Sequence, residues 1–146
     1  MLSPSVQCFN LSKSFGNIRA VKDVSVSIEA GSTVALVGPS GCGKTTVLRL
    51  IAGFEKTQSG EVTIRNQTVD GPGVFLPPEK RKVGMIFQDY ALFPHLTVKQ
   101  NLEYPINYKT SPHTIEDIIN LIKLPNSLDK YPHELSGGEQ QRVALA

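Results

Sequence analysis

A glycine-rich segment in the first third of the chain combines the residue types that hold phosphate groups. Residues Gly38–Thr46 read GPSGCGKTT, which fits the pattern G-x-x-x-x-G-K-[ST]. Glycine allows positive φ angles and a close approach of the backbone, so several N–H groups can point into one concavity and hold an anion. In this pattern Lys44 reaches the outer phosphates and the Thr45 hydroxyl binds Mg²⁺. The candidate contacts are Gly38, Pro39, Ser40, Gly41, Cys42, Gly43, Lys44, Thr45 and Thr46.

Two elements must flank this segment if it is to hold phosphates. The short apolar run Thr33–Val37 predicts a buried strand that enters it. Lys44–Ala52 predicts a helix that leaves it, and Gly53 follows at the position where helices commonly end in a left-handed residue. The N-terminal end of this helix would direct its positive dipole toward the phosphates.

The composition is that of an ordinary globular domain and excludes several classes of partner. The chain has 146 residues, of which 40% are hydrophobic and 19% charged, and this length suggests one domain. The net charge of +2 is too small to predict binding to nucleic acid or to an acidic membrane surface. Met1–Gly16 shows no secretory signal, and no apolar run reaches membrane-spanning length. A disulfide at Cys42 would obstruct a nucleotide, so Cys8 and Cys42 favour a reducing compartment.

Alternating patterns predict strands on both sides of the glycine-rich segment. Val6–Phe15 has a mixed β pattern, and Val24–Ile28 and Glu61–Ile64 alternate as strands with one buried face. The short separation of Val24–Ile28 from Thr33–Val37 predicts an antiparallel layer beside the nucleotide-binding core. Phe15 could stack on an adenine ring or could be an ordinary core residue, and its position alone leaves both open.

The next stretch predicts a loop, a charged surface and one more strand. Asn66–Pro78 is rich in glycine and proline and predicts turns. The charge run Glu79–Lys82 predicts a solvated face. Val83–Phe87 predicts a short apolar strand, which places Gln88 and Asp89 at the sheet edge where ligands bind in open α/β proteins.

Helical signals dominate the remainder of the chain. Thr97 and Gln100 can form a capping box for a short helix that Pro105 stops, and Ser111-Pro112 predicts the start of a second helix that Pro125 ends. Its apolar face is Ile115, Ile118, Ile119 and Ile122. We therefore expect an α/β core over residues 1 to about 88 and a helical part over about 89–146.

A second unusual motif, LSGGEQQR, occupies Leu135–Arg142. Ser136 and Glu139 fit a capping box that opens a final helix. Gly137 and Gly138 weaken a helix start, but they leave backbone N–H groups bare at a positive helix end, which is a second possible anion site.

Three motifs in this order resemble the ATPases of the ABC family. LSGGEQQR is similar to the signature motif of the family, GPSGCGKTT to its P-loop, and Phe87-Gln88 with the following Leu92-Phe93-Pro94 to its Q-loop. The resemblance extends from Phe9 to Ala146. It implies an α/β fold, in which a P-loop NTPase core carries an antiparallel β layer and an inserted helical subdomain.

The resemblance implies roles for individual residues on the nucleotide. Phe15 lies at the position of the aromatic residue that stacks on the adenine of ATP. Residues Gly38–Thr46 bind the ATP phosphates, with Lys44 on the β and γ groups and Thr45 on Mg²⁺. Gln88 contacts the Mg²⁺ or the attacking water, so Lys44 and Gln88 are the candidate catalytic residues, and Thr45 and Gln88 are the candidate metal ligands.

The resemblance also implies an assembly. Ser136, Gly137, Gly138 and Glu139 belong to the nucleotide contacts, on ATP held by a second ATP-binding subunit in a head-to-tail dimer. The partners are transmembrane permease subunits and, indirectly, a solute-binding protein. The expected location is the cytoplasmic face of the membrane, and no nucleic acid is expected.

The chain departs from the family pattern at its end. Members of the family continue after the signature helix into a strand that ends in Asp-Glu and then to a switch histidine, whereas this chain stops at Ala146. His95, His113 and His133 do not replace that histidine. We interpret the chain as a fragment, incomplete at its C-terminus, and expect that it can at best bind nucleotide and cannot turn it over at a useful rate.

The same resemblance also implies a class of transported solute. The run PPEKRKVGMIFQDYALFPHLTV looks like importer ATPases for iron(III), polyamines or sulfate, and iron(III) is our first expectation. The alternatives are a soluble ABC ATPase of translation or DNA repair and a nucleotide-binding module without hydrolysis.

Overall fold

The computed structural model describes residues 4–104 and 114–146. These residues form two compact units, Met1–Met85 and Ile86–Ala146. The assignment of the two predicted parts as domains stays a prediction.

The first unit contains one antiparallel sheet. Its strands are β1 (Pro4–Phe15), β2 (Ile18–Glu29), β3 (Ser59–Ile64), β4 (Gln67–Gly71) and β5 (Val74–Phe75). Their order across the sheet is β2-β1-β3-β4-β5, and each neighbouring pair is antiparallel. The strands predicted around Val6–Phe15, Val24–Ile28 and Glu61–Ile64 are confirmed, and the first two pair as one long hairpin.

Helix α1 packs its apolar face into the core of this unit. It occupies Lys44–Ala52, the bounds that the sequence predicts, and Gly53 ends it in the left-handed conformation with φ 88°. Its buried residues Val47, Leu50 and Ile51 join Cys8, Leu11, Val21, Val62, Ile64 and Val69 from the sheet. The sheet and α1 therefore share one core. Because this core determines which face of α1 is buried, it also determines the direction in which the N-terminal end of the helix points.

Two predicted strands are wrong. Residues 33–37 and 83–87 form no strand, and no described strand pairs with either segment. The side chain of Val37 is 92% exposed, and Val34, Leu36 and Ile86 are also exposed. A strand is held by the ladder of a neighbour, so an apolar run alone does not establish one.

Two predictions about the stretch after β3 hold only in part. The predicted loop Asn66–Pro78 contains the paired strands β4 and β5. Arg65 and Asn66, with positive φ angles of 48° and 64°, form the tight turn that joins β3 to β4. In the predicted solvated run Glu79–Lys82, Glu79, Lys80 and Lys82 are exposed as predicted. Arg81, which ends the short helix α2 (Pro78–Arg81), has a buried side chain instead.

The second unit consists of helices around a separate core. Helix α3 (Val98–Glu103) begins at the predicted capping box of Thr97 and Gln100. Helix α4 (Ile115–Ile122) is capped by Thr114, and α5 (Gly137–Leu145) by Ser136. The core residues are Val98, Leu102, Ile122, Leu124, Leu135 and Val143, against which Ile115, Ile118 and Ile119 pack.

The predicted start of α4 is wrong in detail. Thr114 has extended backbone angles and accepts the N–H of Asp117, so it is the cap of this helix, whereas Ser111-Pro112 and the predicted stop at Pro105 lie outside the described residues. After α4, Lys123 takes a left-handed conformation and Pro125 begins a short 3₁₀ helix. Within residues 4–104 and 114–146, no helix is both long and apolar enough to cross a membrane.

Candidate functional site

The glycine-rich loop is held against the sheet at its last glycine. Gly43 is the N-cap of α1 with φ 95°, and Gly41 has φ 80°, both in the left-handed region that favours glycine. A Cβ at Gly43 would collide with the carbonyl oxygen of Ala20 on β2. The backbone of the loop can therefore turn into α1 at this place only because the residue is glycine.

The first turn of α1 offers unpaired backbone donors. The first bond of the helix runs from Val47 N to Gly43 O at 3.0 Å. The N–H groups of Lys44, Thr45 and Thr46 consequently have no carbonyl partner inside the helix. Together with the positive end of the helix dipole, these groups can hold an anion.

The ammonium group of Lys44 lies across the loop. Its Nζ donates to Gly38 O at 2.8 Å and to Pro39 O at 2.6 Å, and it lies 3.6 Å from Cys42 Sγ. A Cβ at Gly38 would lie 2.8 Å from the same sulfur, so the loop closes tightly around this group. The structure thus brings a cation and the unpaired N–H groups of α1 to one short loop, as the sequence predicts.

Phe15 is not a core residue. It ends β1 with 44% of its surface exposed, and the Lys13 ammonium lies 5.1 Å from its ring centroid. Of the two alternatives left open by the sequence, ordinary burial is therefore wrong. The exposed ring of Phe15, beside the Lys13 ammonium, is accessible for stacking on a planar ring such as adenine.

The loop fits a magnesium nucleotide in the donor types that it presents. Backbone N–H groups and a lysine ammonium match phosphate oxygens, and the exposed Thr45 hydroxyl is a hard oxygen ligand of the kind that Mg²⁺ takes. Mg²⁺ is commonly held by one or two protein oxygens plus substrate phosphates, so a cluster of carboxylates is unnecessary. In the described part of the chain, no group of three His, Cys, Asp or Glu residues could hold a metal ion.

The candidate residues of the second unit lie on a loop and on a helix end. Gln88 is exposed and belongs to neither a helix nor a strand. Ser136 caps α5 through a reciprocal box, in which Ser136 N and Oγ both donate to Glu139 Oε2, at 2.8 and 2.7 Å. The predicted capping box is confirmed.

The two glycines of this helix end are open to solvent. A Cβ at Gly138 would meet no atom within 4 Å, and one at Gly137 would meet only Tyr90 Oη at 4.0 Å. The hydrogen bonds from Ser136 hold the pKa of Glu139 below its ordinary value of 4.5. The start of α5 is consequently an exposed helix end, at which the Glu139 carboxylate is already hydrogen-bonded to the capping residue Ser136.

Sequence reasoning missed a buried ion pair in the first unit. Arg81 Nη2 lies 3.8 Å from Asp70 Oδ2, and both side chains are 0% exposed. Burial raises the pKa of Asp70, which the Thr57 N–H and Arg81 partly oppose, and burial lowers the pKa of Arg81. Asp70 lies in a predicted loop and Arg81 in a predicted solvated run, so no local signal marks the pair.

Comparison with known families identifies the pattern of motifs. A family model described as "ABC transporter" matches residues 21–146. The chain is 44% identical to the spermidine/putrescine import ATP-binding protein PotA of Chromobacterium violaceum, over 94% of this chain and 38% of that protein. It is also 44% identical to the sulfate/thiosulfate import ATP-binding protein CysA of Pectobacterium atrosepticum, over 97% of this chain and 44% of that protein.

A third relative and two solved structures agree with this result. The trehalose/maltose import ATP-binding protein MalK of Thermococcus litoralis is 41% identical over 96% of this chain and 40% of that protein. The chain thus spans about two fifths of the length of these relatives. The dimeric structure of MJ0796, a bacterial ABC transporter cassette, matches with a TM-score of 0.80 and 32% identity, over 95% of this chain and 66% of that one.

The second solved structure is a post-hydrolysis state of the MJ0796 cassette bound to ADP and Pi. It matches with a TM-score of 0.79 and 33% identity, over 96% of this chain and 67% of that one. The predicted α/β P-loop fold is confirmed by these structures.

Proposed function

The chain belongs to the ABC transporter family, and from this premise we propose that it is the ATP-binding part of a solute importer. Its role is to couple the binding and hydrolysis of ATP to import by membrane permease subunits. The observation that carries the proposal is the loop at the start of α1, where the Lys44 ammonium and the first N–H groups of α1, which have no partner inside the helix, lie in one short segment.

In the proposed mechanism Lys44 changes partners. Its ammonium exchanges the carbonyls of Gly38 and Pro39 for β- and γ-phosphate oxygens, while the first N–H groups of α1 hold the remaining charge. Thr45 supplies the protein oxygen for Mg²⁺, and the exposed ring of Phe15 stacks on the adenine. ATP supplies the free energy, and Mg²⁺ neutralises charge on its phosphates.

The second unit has a different role in the proposal. Gln88 orients the attacking water, and the end of α5 at Ser136, Gly137, Gly138 and Glu139 contacts the γ-phosphate of ATP held by a second subunit. The dimeric cassette among the matched structures supports a second ATP-binding subunit as partner. The dimer would close when ATP binds and open after hydrolysis. These movements would switch the permease between a state open to one side of the membrane and a state open to the other.

The proposed location is the cytoplasmic face of the membrane, through contact with permease subunits. Three relatives named as import ATP-binding proteins support the direction of transport. The solutes in the names of these relatives are polyamines, sulfate or thiosulfate, and sugars. The relatives therefore give no support to iron(III). We therefore propose a small solute of unspecified class, with a solute-binding protein as the indirect partner.

The test separates nucleotide binding from transport. The purified protein is titrated with MgATP, MgADP and adenosine in a calorimeter, and affinity that depends on the phosphates is expected. Absence of binding by MgATP would refute the proposal. The protein is then expressed with candidate permease subunits, and co-purification with an integral membrane protein distinguishes an importer subunit from a soluble ABC ATPase.

A further inference from the structure

The buried pair of Asp70 and Arg81 is placed where it can act on α1. Asp70 lies on β4, where its Oδ2 accepts the N–H of Thr57 at 2.9 Å, and Arg81 ends α2. Charged groups without access to water persist when they are paired and hydrogen-bonded. Arg81 Nη2 and Asp70 Oδ2 are 3.8 Å apart, and among the described residues Arg81 Nη2 and Asp70 Oδ1 have no hydrogen-bond partner. The pair therefore balances the buried charge, and the position of the guanidinium is set by the hydrogen bonds that Arg81 itself makes.

Most of the hydrogen bonds of Arg81 go to the last turn of α1. Its Nη1 donates to Leu50 O at 2.7 Å and to Ile51 O at 3.0 Å, while Nε donates to Leu76 O at 2.6 Å. The last carbonyls of a helix have no partner within it, and a positive charge at that end is favourable. Arg81 thus caps α1 from a segment that lies thirty residues further along the chain.

The end of α1 is shaped to admit the guanidinium. Gly53, which follows the helix with φ 88°, packs against Arg81 so closely that a Cβ would lie 2.5 Å from Nε and 2.9 Å from Cζ. The planar guanidinium donates in fixed directions, which a lysine ammonium does not reproduce. The contact is therefore specific for arginine on one side and glycine on the other.

The opposite end of α1 begins at Lys44 in the candidate nucleotide site. A helix of nine residues is about 13 Å long, so α1 is a short rod between Arg81 and the loop. The Gly43 contact with Ala20 holds one end of this rod and Arg81 holds the other. Between these ends the buried side chains of α1 set its direction, so loss of the second anchor would allow only a small shift of the helix, which would still displace Lys44 and the free N–H groups.

We propose that Arg81 is a positioning residue for nucleotide binding, which acts through α1 on the phosphate site without touching the nucleotide. This inference rests on the proposed function of that site. It separates two jobs of the buried pair, because Asp70 balances the buried charge of Arg81, whereas the hydrogen bonds of Arg81 to Leu50 and Ile51 hold α1.

Two substitutions at this pair form a matched test. Arg81→Lys keeps a positive charge beside Asp70 but loses the fork of bonds to the Leu50 and Ile51 carbonyls, whereas Asp70→Asn weakens the ion pair and leaves those bonds possible. Both are expected to lower the melting temperature. Only Arg81→Lys is expected to weaken MgADP binding, by about three- to tenfold, measured at a temperature where each variant is folded.

The outcome of this comparison decides the proposal. Wild-type affinity in Arg81→Lys, or an equal loss in Asp70→Asn, would overturn it, since either result leaves a role in stability alone. Failure of the wild-type protein to bind MgADP would instead refute the proposed function.

A measurement on the unaltered protein covers the case in which Arg81→Lys fails to fold. Coupling is reciprocal, so nucleotide that binds better when Arg81 holds α1 must also strengthen the bonds of Arg81. Proton exchange at Arg81 Nη1, which donates to Leu50 O and Ile51 O, is expected to slow when MgADP is added, as followed by NMR. An unchanged rate in protein saturated with MgADP would contradict the proposal.

Discussion

The carboxylate of Glu139 accepts hydrogen bonds from both the backbone N–H and the hydroxyl of Ser136, at 2.8 and 2.7 Å. The N–H of Glu139 donates back to Ser136 Oγ at 3.4 Å. The single hydroxyl proton of Ser136 is thus already used within its own chain. A phosphate that accepts a hydrogen bond from the Ser136 hydroxyl must replace Glu139 as its acceptor. The proposed contact across a dimer therefore involves an exchange of hydrogen bonds.

Glu139 should titrate below its ordinary pKa of 4.5, because Ser136 donates two hydrogen bonds to the ionised carboxylate. Its contribution to the stability of α5 is then complete above pH 4.5 and is lost as the pH falls through the lowered pKa. An NMR titration of the Glu139 carboxyl measures this. Ser136→Ala is expected to raise the pKa toward 4.5, whereas Ser136→Thr keeps a hydroxyl and should leave it low. A pKa at or above 4.5 in the unaltered protein would contradict the hydrogen-bonded cap.

Lys44→Ala should weaken MgATP binding by about tenfold or more, which corresponds to about 1.4 kcal/mol. The reason is that the Lys44 ammonium lies within the loop, where it contacts the carbonyls of Gly38 and Pro39. Titration calorimetry gives the affinity. Lys22→Ala, at an exposed position of β2, serves as the control and should bind normally. Equal affinity of both variants would remove the phosphate-binding assignment of the loop.

Ser136→Arg should leave the binding of ATP to the monomer intact and block dimerisation driven by ATP. A large cation at the exposed start of α5 would obstruct the partner's nucleotide without touching the loop of its own chain. Light scattering with and without ATP measures the dimer, and Asn126→Arg supplies an exposed control in the same unit. Loss of nucleotide binding by the Ser136→Arg monomer would argue that the motif serves its own chain's nucleotide.

The two cysteines should differ sharply in their reaction with iodoacetamide. Burial raises the pKa of the Cys8 thiol to about 11, whereas Cys42 is exposed in the glycine-rich loop Gly38–Thr46. Mass spectrometry after brief treatment at pH 8 should find the label on Cys42, and MgADP should slow its attachment. Denaturant should expose Cys8 to the reagent. Labelling of Cys8 as fast as Cys42 in the folded protein would contradict the described core.

Features that depend on a few consecutive residues could be predicted from the sequence. The capping boxes at Thr97 and Ser136 agree with the structure because a cap joins groups only three residues apart. The predicted bounds of the helix Lys44–Ala52 also agree. The same holds for the loop Gly38–Thr46, whose chemistry is contained in its own backbone and in one lysine.

Features that depend on distant partners were decided by the tertiary structure. The apolar run Thr33–Val37 reads as a strand, yet no described strand pairs with it, whereas the glycine-rich stretch around Asp70 becomes β4 because β3 pairs beside it. Arg81 lies in a charged run, and only its contacts with Leu50 and Asp70 bury it. Strand pairing and the burial of a charge are set by groups that folding brings together, and such groups leave no periodic signal in the nearby sequence.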